Sequence, residues 1–340
     1  MEQRLTKLWY RPEAGPSLLQ PLSWVYDGVI RLRRRAFASG WLTTHRVARP
    51  VIVVGNLTVG GTGKTPLVIW LARELTARGL KVGIVSRGYG SRGGEEPRLV
   101  GAESSWQDVG DEPLLVSRRT GCLTIVSRDR VAAANALIER CVDVIIADDG
   151  LQHLRLGRDC EIVVIDGARG FGNGRMLPAG PLREPVSRAA HADLLVLNGA
   201  AQHPSLTSPG VSMVRAARMT LLPGPAVRVD GQGSKPLEDF RGSPLHAVAG
   251  IGNPARFFGD LRDRGLEVIE HAFPDHHPFT GGDLSFGDGL PVLMTEKDAV
   301  KCALFASPGW WLVPTEAMFA QAQAHELLES VLRKIGPLRN

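Results

Sequence analysis

Cysteine is scarce: there are four in 340 residues. Neither a C-x-x-C pair nor histidine at metal-ligand spacing accompanies Cys122, Cys141, Cys160 or Cys302. This excludes a disulfide-stapled scaffold and a zinc or iron–sulfur module, and fits free thiols in a reducing compartment. Cys141 and Cys160 each border an apolar run, which suits buried packing. Long apolar stretches are missing as well. No window of about 18 residues escapes a charge, so a spanning helix is not expected. No apolar h-region followed by small residues marks a secretory leader, and a cytoplasmic protein is the expectation. Charge of one sign is mild, with 40 Lys and Arg against 35 Asp and Glu. The excess fits an anionic partner without choosing among nucleic acid, a phosphorylated substrate and an acidic membrane. At 44% hydrophobic and 22% charged residues, disorder, collagen and coiled coil are excluded. The length suits two domains, or one large domain with additions.

The clearest positive signal begins at Pro50. Val51-Ile52-Val53-Val54 is a β-branched run suited to a strand buried on both faces. It feeds the turn from Gly55 through Thr58, Val59, Gly60, Gly61, Thr62, Gly63, Lys64 and Thr65. A helical pattern, Leu67, Leu71 and Leu75, follows. Strand, glycine-rich turn and Gly-Lys-Thr opening a helix is the context that a phosphate-binding P-loop requires. Glycines let backbone N–H groups curl around phosphate oxygens, and the helix N-terminus adds positive potential. In that reading Lys64 reaches the β- and γ-phosphates and the Thr65 hydroxyl ligates Mg²⁺. Thr58 occupies the first glycine position of the strict pattern. The third glycine of a dinucleotide fingerprint is absent.

Further strands are expected at Val82–Ser86, Leu123–Val126, Val142–Ala147, Ile162–Asp166 and Leu194–Asn198, with a helix over Arg130–Glu139. Alternation of strand and helix predicts a parallel sheet with helices on both faces and ligands at the carboxyl ends of its strands. Val142–Ala147 delivers Asp148 and Asp149 to that edge, where a P-loop protein holds its Mg²⁺ with an aspartate. Met213–Leu222 and Ala226–Val229, separated by Pro223-Gly224-Pro225, predict a β-hairpin. Residues 230–243 suit a linker. A smaller α/β unit follows: strands Leu245–Ala249, Val268–Ala272, Val292–Thr295 and Trp311–Val313, a helix capped by Asn253, and a terminal helix over 315–334.

Near the front, Leu18, Leu22, Val25, Val29 and Leu32 recur at helical spacing, with Pro21 near the expected start. Trp24 and Tyr26 suit the headgroup level, and Arg31, Arg33, Arg34 and Arg35 follow. The segment reads as a helix lying on an anionic membrane, or as one packed on its own domain with solvated arginines.

Asn-Leu-Thr-Val-Gly-Gly-Thr-Gly-Lys-Thr-Pro (56–66) resembles the P-loop of the tetraacyldisaccharide 4'-kinase family, the lipid A 4'-kinases. Other blocks are similar to that family's motifs, in its order: Ser86-Arg87-Gly88-Tyr89-Gly90, Val109-Gly110-Asp111-Glu112-Pro113, Asp148 to His153, Leu177 to Glu184, Asp275-His276-His277 and Thr295-Glu296-Lys297-Asp298. The likeness runs from about residue 20 to residue 301. Thr58 is similar to the family's own form.

The resemblance implies ATP-dependent phosphorylation of the 4'-hydroxyl of a tetraacylated glucosamine disaccharide 1-phosphate, with ATP and Mg²⁺. The enzyme would be peripheral, at the cytoplasmic face of a bacterial inner membrane, because four acyl chains keep the substrate in a bilayer. The partners implied are the glycolipid and an anionic membrane surface, with no nucleic acid and no obligate protein partner. Asp111 matches the family's base and His276 its partner; unaided, they would read as a turn residue and an exposed loop histidine. Glu184 matches a position near metal and phosphates, so Asp111, His276, Lys64 and Glu184 form the catalytic set. Thr58 to Thr65 would bind nucleotide, and Thr65, Asp148 and Asp149 the metal. Arg87, Tyr89, Gln152 and Arg183 would meet the substrate; an arginine fork and a tyrosine suit phosphate and sugar oxygens. Thr295 to Asp298 resembles a base-reading motif of GTPases, or is a strand-to-helix cap.

The expected fold class is α/β: a P-loop NTPase-like parallel sheet with helices on both faces, plus a smaller second α/β domain joined through a β-hairpin linker. The expected units are 1–35 (membrane-surface helix), 36–212 (P-loop kinase domain), 213–243 (hairpin and linker) and 244–340 (C-terminal domain). His276 falls in the last unit, so catalysis would need the two domains to close. Two other readings remain: a P-loop nucleotide-switch ATPase acting on a membrane or protein partner, and a non-catalytic membrane-binding protein that holds nucleotide structurally.

Overall fold

The structure, a computed structural model, describes residues 8–10, 17–90, 94–207 and 213–336. Residues 1–7 and 11–16 of the expected N-terminal unit, residues 91–93 and 208–212 of the next, and residues 337–340 lie outside the described residues.

Chain order gives β1 (Val51–Gly55), β2 (Val82–Ser86), β3 (Arg98–Leu99), β4 (Leu123–Val126), β5 (Val144–Asp148), β6 (Cys160–Asp166), β7 (Leu194–Asn198) and β8 (Ala217–Pro223). Then come β9 (Ala226–Arg228), β10 (Ser234–Lys235), β11 (Pro244–Ala249), β12 (Glu267–Ala272), β13 (Val292–Thr295), β14 (Trp310–Val313) and β15 (Thr315–Phe319). They form a nine-stranded sheet, β15-β8-β7-β6-β1-β5-β2-β4-β3, and a six-stranded sheet, β10-β9-β14-β13-β11-β12. In the larger sheet the seven strands from β8 to β4 run parallel, and β15 and β3 add antiparallel edges. The expected α/β class is what forms.

β1, β2, β5 and β6 are buried at every position, which follows from helices covering both faces. Val51, Val53, Ile145 and Val163 face one side, with Ala133 and Leu137 of the helix Arg130–Ile138. Ile52, Val54, Ile146 and Ile162 face the other, under Leu67, Leu71 and Leu75 of the helix Lys64–Ala77. Because the strands are parallel, their carboxyl ends share one edge. Val54 pairs there with Asp148, and Asp166 with Asn198.

Two expectations fail. The hairpin at 213–229 does not form: β8 pairs with β7 and β15, whereas β9 pairs with β10 and β14 in the other sheet. Proline has no N–H to donate to a ladder, so Pro223-Gly224-Pro225 ends one strand without turning it back. The Gly224 N–H bonds instead to the Pro314 carbonyl (2.8 Å), so the chain's two crossings between the sheets lie side by side. The terminal segment is also not one helix. Thr315–Phe319 is β15, and only Gln321–Ile335 is helical. That helix buries Leu327, Leu328, Val331 and Ile335 against the Ile52–Val54 face of the larger sheet. The last part of the expected 244–340 unit thus packs on the P-loop unit, because an apolar stripe at helical spacing must be covered and that sheet face is where it lands.

Leu328→Ala should therefore destabilise the P-loop unit by roughly 2–5 kcal/mol, the cost of a cavity at a position 1% exposed. Urea unfolding checks it; a loss below about 1 kcal/mol would make the helix a loose appendage.

Candidate active site

The P-loop leaves β1 at Gly55 and is shaped by side chains beneath it. Asn56 is fully buried; its amide donates to the Thr58 carbonyl (2.7 Å), and its Oδ1 accepts from Lys64 Nζ (3.1 Å). The Asn198 amide donates to the Thr62 carbonyl (3.0 Å). Arg169, held by Asp166, donates to the Gly61 carbonyl. Gly63 caps the helix with φ +95°, and a Cβ there would stand 2.7 Å from Asn198 Nδ2, so only glycine fits. Thr58 bridges to Leu182, and the Val59 N–H bonds to the Pro181 carbonyl, so the 177–184 loop walls the turn. Gly60 and Gly61 lie along this stretch, and Thr65 stands half-buried in the first helical turn.

At the end of β5, Asp148 is buried and its Oδ1 has no hydrogen-bond partner. Burial, then the negative charges of Glu112 and Asp149, push its carboxyl well above the usual range. Asp149 sits in the left-handed region (φ +48°), a costly backbone for a residue with a side chain. Its carboxylate meets Lys64 Nζ (3.3 Å) and an Arg183 nitrogen (3.2 Å). Burial alone would raise its pKa, but those cations outweigh it and hold the group at about 2. A buried carboxyl oxygen with no hydrogen-bond partner, near Lys64 of the P-loop helix, is what a cation would satisfy. Magnesium suits it, since that ion takes one or two carboxylates and completes its octahedron with phosphate oxygens and water. Among the described residues no three His, Cys, Asp or Glu side chains form a self-sufficient metal cage.

Asp111 opens the helix Asp111–Thr120 and is 3% exposed. Its Oδ2 lies 3.0 Å from His276 Nδ1, across 165 residues of sequence. His276 is also left-handed (φ +60°), on the loop after β12. Burial would raise the Asp111 pKa, but the His276 hydrogen bond and the cations Lys297 and Lys301 outweigh it and lower it. The same hydrogen bond raises His276. The loop that carries His276 stands beside the P-loop: a Cβ on Gly252 would reach both Gly61 N (3.4 Å) and Oδ2 of Asp275, the residue before His276 (3.5 Å).

The other expected residues divide. Tyr89 is exposed, its ring 5.1 Å from that of His276, and Arg87 is exposed on the same loop after β2. Gln152 donates to the Asn56 carbonyl (3.1 Å) and to Glu184 Oε1 (3.0 Å). Glu184 is buried and turned toward Arg34 (3.0 Å) and Arg188 (3.7 Å), one layer behind Asp149 and Arg183. Of the basic cluster, Arg34 takes Glu184, Arg33 bonds the Gln152 carbonyl and Arg31 pairs with Asp27. Arg34 is half-buried, while Arg31, Arg33 and Arg35 stay exposed.

Sequence reasoning missed several neighbours. Arg130, 2% exposed, donates to the Asp148 and Val85 carbonyls and fixes the strand ends. Lys297 meets Glu112 (3.1 Å) and Asp275 (3.2 Å), and Thr295 caps the helix Glu296–Cys302 by accepting from the Asp298 N–H. The cap reading of residues 295–298 is the one that forms. Its signal was present, threonine three residues before aspartate after an apolar run, but nothing local pointed Lys297 at Asp111.

Comparison with known proteins identifies the family. A sequence model of the family described as LpxK, tetraacyldisaccharide-1-P 4'-kinase, matches residues 16–333. A protein named tetraacyldisaccharide 4'-kinase from Alkalilimnicola ehrlichii is 49% identical over 99% of both chains. Another of that name from Stenotrophomonas maltophilia is 50% identical over 91% of both. The crystal structure of LpxK from Aquifex aeolicus in complex with ATP superposes with a TM-score of 0.75 at 28% identity, covering 94% of this chain and 98% of that one. The chain belongs to the tetraacyldisaccharide 4'-kinase family.

Proposed function

We propose that this protein transfers the γ-phosphoryl group of ATP to the 4'-hydroxyl of a tetraacylated disaccharide 1-phosphate, with Asp111 as the base. The observation that carries this reading is the Asp111–His276 pair, 3.0 Å apart, with the preceding residue Asp275 close to the P-loop backbone. The acceptor hydroxyl gives its proton to Asp111 while its oxygen bonds to the γ-phosphorus. The bond from that phosphorus to the β–γ bridging oxygen breaks, and ADP leaves. Phosphoryl transfer is mostly positioning and charge neutralisation. Lys64, now parked on Asn56 and Asp149, turns to the β- and γ-phosphates, and the backbone from Thr58 to Thr65 cradles them. Thr65, Asp148 and Asp149 would hold Mg²⁺, whose charge would offset that developing on the transferred group. Arg87 and Tyr89, exposed beside His276, meet the sugar or its phosphate. Gln152, Arg183 and Glu184 brace the P-loop and the metal carboxylates from behind.

The lipid reaches this site from a membrane surface. No helix among the described residues is long and apolar enough to cross a bilayer. The helix Gln20–Ala38 instead turns Tyr26 and Ile30 onto the core and bonds Ser23 Oγ to the Met176 carbonyl. Its other face leaves Leu22, Trp24, Val25, Val29 and Leu32 more than half exposed, with Trp41 at 84% just beyond. Burying such side chains in a bilayer gains about 1.5–3 kcal/mol each. A peripheral position on an anionic leaflet, the cytoplasmic face of the inner membrane, suits this stripe and the exposed Arg35.

Asp111→Asn should lower turnover by on the order of 10²–10⁴-fold and leave ATP affinity within a few-fold, measured by labelled-phosphate transfer and equilibrium binding. Loss of ATP binding would instead make Asp111 a metal ligand. Trp24→Asp with Leu32→Asp should cut flotation with anionic vesicles by about 10²-fold or more and depress activity on bilayer lipid more than on detergent-dispersed lipid. Equal losses in both would assign the helix a folding role.

A further inference from the structure

Trp9 and Tyr10, ahead of the helix Gln20–Ala38, pack against the phosphate loop and its wall. The Trp9 indole N–H donates to the Pro178 carbonyl (3.1 Å), and the Trp9 carbonyl accepts from the Asn173 N–H (2.7 Å). So anchored, Tyr10 donates its hydroxyl hydrogen to the Val59 carbonyl (3.0 Å), and its ring centre lies 5.3 Å from the Arg169 guanidinium. Burial raises the Tyr10 pKa above its ordinary value, so the phenol keeps the hydrogen that it donates.

Val59 is one of a series. From Thr58 to Thr62 every backbone carbonyl accepts a hydrogen bond from a side chain. The Asn56 amide takes Thr58 (2.7 Å) and Gly60 (3.4 Å), Tyr10 takes Val59, Arg169 takes Gly61, and the Asn198 amide takes Thr62 (3.0 Å). In a trans peptide the C=O and the N–H of the next residue point in opposite directions. Holding the Val59, Gly61 and Thr62 oxygens therefore turns the N–H groups of Gly60, Thr62 and Gly63 the other way. Amides gathered on one side of a turn make an anion-binding concavity, and ordering them in advance removes that cost from binding. Asn56, Arg169 and Asn198 belong to the ends of β1, β6 and β7 or to the loops that follow them. Tyr10 alone of the four comes from outside the sheet.

We propose that Tyr10 is a positioning residue for the nucleotide: its hydroxyl ties back the Val59 carbonyl, so that the Gly60 N–H is presented to the terminal phosphates of ATP. This rests on ATP lying in the P-loop. It makes the segment ahead of the membrane-facing helix a working part of the nucleotide site, apart from any hold on the bilayer. Arg169 completes the brace, since Asp166 fixes its guanidinium where it meets both the Tyr10 ring and the Gly61 carbonyl.

The test is equilibrium binding of ATP with Mg²⁺, and of inorganic tripolyphosphate in competition with it, to the full-length protein. Tyr10→Phe removes one oxygen and keeps a ring beside Arg169. It should raise the Kd of both ligands by about 3–10-fold, the worth of one neutral hydrogen bond. The KM for ATP should rise with it, while kcat at saturating ATP and the KM for the lipid stay within about twofold. Tyr10→Leu, which removes the ring as well, should weaken both ligands at least as much. Unchanged affinities in Tyr10→Phe would overturn the proposal. A lower melting temperature with both affinities unchanged would do the same, by making Tyr10 a structural anchor. Weaker ATP with tripolyphosphate unchanged would put the hydroxyl on another part of the nucleotide, and would also overturn it. An unmodified protein that binds neither ligand would instead overturn the nucleotide site itself, and the proposal with it.

Discussion

Carboxylates held out of water at the carboxyl edge of the larger sheet set the terms for everything around them. Asp148 and Asp111 are both nearly inaccessible, and an ionised carboxylate in that setting is costly unless a cation or donor faces it. The two have been treated differently. Asp111 is met by His276, Lys297 and Lys301 and is held ionised. Asp148 keeps an unpartnered oxygen and is pushed toward its protonated form, because burial and the charges of Glu112 and Asp149 outweigh Lys64 and Arg130. In the proposed reaction the first would serve as the base and the second would help to hold the metal ion.

That division explains why the second unit exists where it does. The cations that ionise Asp111 come from the helix Glu296–Cys302, and the histidine comes from the loop after β12. Both belong to the smaller sheet. Arg119, near the end of the helix Asp111–Thr120, ties that helix to Glu296 of the helix Glu296–Cys302 and to Glu316 on β15. The adjacent crossings at Pro223–Pro225 and Pro314 join the units by two short spans, and the Asp111–His276 pair is already formed between them.

Local features were legible in the sequence. Strand, turn and helix around Lys64 are consecutive, and Asp148-Asp149 follows an apolar run directly, so residue type and spacing were enough. The Asp111–His276 pair spans 165 residues and was reached through family resemblance, not through any physical signal in either segment. Lys297 and Arg130 act through tertiary contacts that no local pattern encodes. The hairpin was misread because proline and glycine between two apolar runs look alike whether the chain turns back or crosses to another sheet. The terminal strand was misread because Thr315–Phe319 runs straight into a strongly periodic helix. Of the N-terminal arginines only Arg34 departs from the solvated reading: it shares a helix face with Tyr26 and Ile30 and is half-buried on Glu184, whereas Arg31, Arg33 and Arg35 stay exposed.

The account stands on the destination of one phosphoryl group. Purified protein, ATP, Mg²⁺ and a tetraacylated disaccharide 1-phosphate in mixed micelles should yield, by ³¹P NMR, a second phosphomonoester on the lipid at the 4' position, with ADP formed in equal amount. Release of inorganic phosphate with the lipid left as its 1-phosphate would contradict it and favour a nucleotide-driven switch.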